Sequence, residues 1–137
     1  MSAGMPYSYT TIRHRFTEVG RMPFEPGADI CIVLPRHGFL SGIMLRPIDG
    51  DIEAAARRVE RLTLVSDGSN RLLDVDGRWL LYTSLMDGAG RCMVVKWDAD
   101  DELDTRPLML LELIVHWSTF ESSNALGGFD VLVREWS

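Results

Sequence analysis

The sequence predicts an α+β domain, with a largely antiparallel sheet built from one hairpin and a three-stranded meander, and about three helices packed on one face. Three observations carry this expectation. Apolar runs of strand length recur between turn residues from Asp29 to Trp97. Two stretches, near Ile12–Val19 and Ile52–Leu62, space their apolar residues at helical intervals. A third, Leu108–Trp117, is apolar almost all the way round a helix.

Residues 1–9 are expected to form a flexible N-terminal arm, and residues 10–137 a single domain. Between Thr10 and Arg21, Ile12, Phe16 and Val19 fit a short amphipathic helix closed by Gly20. The prolines and glycine of Met22–Ala28 then turn the chain. Asp29–Leu34 reads as a strand buried on both faces, and Phe39–Arg46 as its hairpin partner, with Gly42 marking a bulge. Asp51 caps a second helix that runs to about Leu62, with Glu53 and Arg57 paired at i, i+4. Residues 62–66 fit either the end of that helix or the start of a strand.

The meander is expected in the middle of the chain. Arg71–Val75, Arg78–Met86 and Arg91–Trp97 read as strands, joined by turns at Asp76-Gly77 and Asp87–Gly90. Trp79 and Trp97 then face each other across neighbouring strands. Asp98–Asp104 forms an acidic loop, and Asp104 or Thr105 caps a third helix from Leu108 to about Ser122. Asn124–Gly128 ends that helix, and Phe129–Glu135 is a last short strand.

The 137-residue chain is 46% apolar and 25% charged, which suffices for a packed core without metal or disulfide. Cys31 and Cys92 lie in apolar runs, outside any zinc-ligand spacing, and read as small buried hydrophobes. The formal net charge is −6 and the basic residues are scattered, which argues against nucleic acid and anionic membranes as partners. No apolar signal segment or membrane-spanning stretch is visible, so a cytoplasmic setting is expected.

Catalytic patterns are equally scarce. The acidic loop lacks the glycine and glutamate of a calcium loop. His14, His37 and His116 share no metal-ligand spacing, and no Gly-x-Ser-x-Gly elbow or phosphate-binding glycine loop occurs. No cofactor, metal or catalytic residue is expected, and an enzyme is the less favoured reading.

The expected function follows from the third helix. An all-round apolar helix needs cover beyond one small sheet, from the remaining helices or from a second chain. The favoured reading is a non-enzymatic protein-binding module acting as a homodimer through apolar surface. Bacterial secretion chaperones, immunity proteins and adaptors share this size and acidity. Its interface is expected at Leu108, Leu111, Glu112, Val115, His116, Trp117 and Trp136, with Glu112 and His116 paired at i, i+4. One alternative is a small-molecule-binding or enzymatic domain with a pocket between sheet and helices, for which Asp29, Arg36 and His37 are the first candidates. A further alternative is a structural subunit of a larger assembly.

Overall fold

The computed structural model describes residues 14–48, 52–86, 92–97, 101–119 and 127–136. Nine strands and two helices occur among them. In chain order they are β1 (His14–Met22), β2 (Asp29–Val33), β3 (Phe39–Pro47), α1 (Ile52–Arg58), β4 (Val59–Ser66), β5 (Asn70–Val75), α2 (Gly77–Met86), β6 (Met93–Lys96), β7 (Leu103–Asp104), β8 (Leu111–Trp117) and β9 (Phe129–Trp136). The strands form two sheets. One has the order β1-β9-β3-β6, with β7 also paired to β3, and the other has the order β2-β8-β4-β5. Every pairing is antiparallel. This order, in which each sheet is woven from strands distant in sequence, is that of a jelly roll.

The fold is therefore a β-sandwich, which corrects the expected α+β architecture of one sheet under three helices. Both sheets alternate as half-buried strands do. In β8, Leu111, Leu113, Val115 and Trp117 are buried, while Glu112, Ile114 and His116 are only partly so. In β9, Phe129, Val131 and Val133 are buried between partly exposed neighbours. The two inner faces meet in one core, joined by Ile43 and Leu45 of β3 and by Leu62 and Leu64 of β4. Trp117 stacks on Phe129 of the opposite sheet, with ring centroids 5.1 Å apart, and meets Phe24 edge-on at 5.0 Å. Its indole N–H donates to the Pro23 carbonyl at 2.8 Å.

Local chemistry explains the departures. The stretch expected to be a first helix is β1 from His14 onward, paired along its length with β9. β2 and β3 make no hairpin, because they belong to different sheets. β2 is also not buried on both faces: Asp29, Cys31 and Val33 are exposed, and Ile30 and Ile32 pack on the core. In β3 the register shifts against β9 between Leu40 and Gly42, so Leu40 is buried together with Ile43 and Leu45 despite the broken alternation.

The second helix is α1 and stops at Arg58, where the β-branched run of β4 begins. The Asp67-Gly68 turn joins β4 to β5, with Asp67 at φ 52° and Gly68 at φ 83°. The Asp67 carboxylate accepts the backbone N–H groups of Met109 and Leu110, which fixes the entry to β8.

The meander is replaced by strand, helix, strand. Asp76 makes an N-cap rather than a hairpin turn, accepting the backbone N–H of Trp79 at 2.9 Å. Gly77 is required there, since a Cβ would clash with the backbone carbonyls of Ala56 and Val59. α2 then lies beside β6, where Ser84 Oγ accepts the backbone N–H of Val94 at 2.9 Å and covers that sheet edge. Trp79 sits on α2, so it does not pair with Trp97 across a sheet. Residues 1–9, the turn at 87–90 and the expected helix end at 120–126 lie outside the described residues.

The helix expected from Leu108 is β8, the strand between β2 and β4. Its all-round greasiness is resolved by the sandwich: odd positions face the core, and the even positions stand partly exposed on the outer face of the sheet, between the side chains of β2 and β4.

Candidate functional site

The richest polar surface lies on the outer face of the β2-β8-β4-β5 sheet. Register places Asp29 and Arg61 beside His116, and Cys31 and Thr63 beside Ile114. Thr63 in turn lies beside Asp74. His116 Nδ1 is 2.8 Å from the Asp29 carboxylate, and its Nε2 is 3.3 Å from Thr63 Oγ1. A carboxylate, an imidazole and a hydroxyl in line form a proton relay in outline. Thr63 is only 4% exposed, so its hydroxyl is closed to a substrate and the relay ties β2, β8 and β4 together.

Beside it, Cys31 Sγ donates to Glu112 Oε2 at 3.1 Å. Partial loss of water around the sulfur, then the hydrogen bond to Glu112 and its negative charge, push the thiol up to about 11. Cys31 is therefore exposed but carries little thiolate at neutral pH, and neither cysteine forms a disulfide. This corrects the expectation of a buried Cys31. Among the described residues no group of three or more His, Cys, Asp and Glu is placed to hold a metal ion.

The same face opens into a cleft at its β5 edge. Arg61, Asp74, Val75, Asp76 and Trp79 line a space of about 340 Å³ between β4, β5 and the first turn of α2. Arg61 Nε donates to Asp74 Oδ1 at 2.7 Å, and Arg71 Nη1 approaches Asp74 Oδ2 at 3.4 Å. The hydrogen bond from Arg61 holds the Asp74 carboxyl below its ordinary value. Trp79 is 40% exposed at the rim.

Sequence reasoning missed Arg61, Asp74 and Trp79 as a group, because they meet only once β5 is followed by a helix rather than by a hairpin. The available signal was Asp76, three residues before Trp79 at the head of a leucine-rich run.

The residues singled out from the sequence divide between several places. Asp29 joins His116 on the outer face, while Arg36 donates to the Leu108 carbonyl. His37 pairs through Nδ1 with Glu135 at 3.2 Å, and its backbone N–H donates to the same carboxylate. Glu135 is 1% exposed, a buried acid at one end of the sandwich. Of the residues expected at an interface, Leu111, Val115 and Trp117 are core, and Leu108 packs against the core. Trp136 stacks on Phe39 at 4.5 Å and donates to Glu102 at 2.8 Å. Glu112 and His116 are not each other's partners, because four residues along a strand separate them too far.

No family model matches this sequence, and no curated protein does at a significant level. Solved structures do match. The major capsid protein P2 from bacteriophage PM2 superposes with a TM-score of 0.68 at 15% identity, over 91% of this chain and 51% of that one. The STIV MCP gives 0.70 at 15% identity, over 90% of this chain and 48% of that one. A chain from the atomic structure of Sulfolobus Turreted Icosahedral Virus gives 0.69 at 14% identity, over 90% and 45%. The chain shares its fold with these structures.

It spans about half the length of each of these neighbours. At this identity the likeness is one of fold. It overturns the α+β class and removes support for a chaperone-type module, whose docking helix does not exist.

Proposed function

We propose that this protein is a structural subunit of a larger protein assembly, with further copies of itself as its first partners. The observation that carries this reading is the β1-β9-β3-β6 over β2-β8-β4-β5 sandwich, shared over nine-tenths of the chain with capsid proteins.

Two surface features support it. Among the described residues β1 pairs with β9 only, so its other edge has no strand partner among them. The opposite edge is covered by α2. Next to the open edge, Phe16 is 61% exposed and lies with Met44 and Val94 around a shallow dip at Gly42. An open edge flanked by an exposed aromatic is suited to strand addition by another chain. Glu112 and His116 stand partly exposed on the outer face of the other sheet, where a second contact could form around their own pairings.

Analytical ultracentrifugation and negative-stain electron microscopy of the purified protein test this. Species larger than a dimer are expected to grow with concentration, and Phe16→Asp is expected to shift them toward monomer without lowering Tm by more than a few degrees. A strictly monomeric mass at millimolar concentration overturns the reading.

A further inference from the structure

We propose that the cleft between β4, β5 and α2 is a binding site for a neutral sugar ring, with Trp79 as its stacking platform. The cleft belongs to one chain, so binding needs no assembly.

The argument starts from the charge balance. In the lining Arg61 faces Asp74 and Asp76, and Arg71, outside the lining, pairs with Asp74 as well, so these four neighbouring charges sum to zero. A phosphate site needs a net excess of cationic or N–H donors, and a cation site needs a net excess of carboxylate. Neither exists here. With Asp74 neutralised by Arg61 and Arg71, the cleft wall offers both N–H donors and carboxylate acceptors without a large net charge, which suits a ligand whose hydroxyls do both.

The aromatic residue supplies the second half. An indole exposed at the edge of a polar cleft can take the C–H face of a pyranose, replacing water on both surfaces. Its backbone is held by the Asp76 cap, so the platform is positioned before any ligand arrives. Arg61 engages Asp74 through Nε, which fixes the guanidinium in plane at the cleft wall. Tyr82, one turn further along α2 and 65% exposed, lies on the same helix flank, where a second ring would reach. The volume of about 340 Å³ is at the small end for ligand sites and suits one or two rings.

An open cleft of this size implies weak binding by one chain, strengthened where many copies display it together.

The test is a titration of the 15N-labelled full-length protein with methyl glycosides of glucose, galactose, mannose and N-acetylglucosamine. The indole N–H signals are followed by NMR, with that of Trp136 as the internal control. At least one glycoside is expected to shift the Trp79 signal saturably and leave Trp136 unmoved. Arg61→Met is expected to weaken that binding by roughly tenfold. Tyr82→Ala is expected to weaken a disaccharide more than its monosaccharide. Trp79→Ala is expected to abolish binding, with Tm showing that it folds; should it not fold, the Arg61→Met result decides. The proposal is overturned if no glycoside moves the Trp79 signal, if Arg61→Met binds as the parent does, or if inorganic phosphate produces the same shift. Because the readout is taken on dilute monomer, a failed assembly test leaves this one standing, and the reverse.

Discussion

Cys31 donates its S–H to the Glu112 carboxylate across the β2–β8 pair, and partial desolvation first, then that contact, push its thiol up to about 11. Two pKa units correspond to a thiolate fraction about 100-fold lower at neutral pH. Alkylation of Cys31 by iodoacetamide at pH 8 is therefore expected to lag a model thiol severalfold or more, and Glu112→Gln to accelerate it; mass spectrometry of quenched time points checks both. Asp74 behaves in the opposite sense. Its carboxyl is held below the ordinary 3.8 first by the Arg61 hydrogen bond, so pairing stabilises the folded state above that value. The contribution is lost as pH falls through the lowered folded value. Asp74→Asn is expected to reduce Tm by a constant amount from pH 5 to 7, with the gap to the parent closing only on further acidification. Thermal melts across that range test it. None of these pairings was legible in the sequence, since Cys31–Glu112, Asp29–His116 and Arg61–Asp74 are set by strand register, and register depends on the pairing partner.

At the scale of elements, β8 shows what the sequence concealed. The run from Leu108 to Trp117 satisfies a buried helix by composition, and a short apolar run leaves the period undecided. The deciding signal was present: Glu112 and His116 fall on even positions, while Leu111, Leu113, Val115 and Trp117 fill the odd ones. That alternation marks a strand with one face in the core. The stretch Arg78–Met86 misled in the other direction, read as a strand although it is leucine-rich and preceded by Asp76, a helix cap. Strands β2, β3, β5 and β9 were legible because β-branched or apolar runs sit between clear turn residues. Which strands pair was not legible, since no local pattern distinguishes a hairpin from two strands sent to opposite sheets. Trp117 is the inter-sheet keystone of β8, buried against Phe129 and Phe24. Trp117→Ala is expected to cost about 3–5 kcal/mol in urea unfolding, against no more than a few tenths for Met109→Ala at the 83% exposed loop position.

For the whole molecule, strand order sets the folding problem. Each sheet joins distant segments: β1 lies beside β9, and β2 beside β8. Such non-local pairing closes long loops before contacts repay the entropy, so refolding is expected in milliseconds to seconds rather than microseconds. Stopped-flow tryptophan fluorescence measures it directly, since Trp117 passes from water to the core. The central position of β9 has a consequence for the protein's birth on the ribosome. Among the described residues β1 has no other strand neighbour, β3 has only β6 and β7 beside it until β9 arrives, and β9 comes last of the described strands in chain order. Until residues 129–136 leave the exit tunnel, the nascent chain carries β1 with no strand beside it and β3 with one side open, and these edges are then exposed to aggregation. Sheet closure thus waits for the last described strand, and a slow codon placed just upstream of Phe129 would lengthen that vulnerable interval.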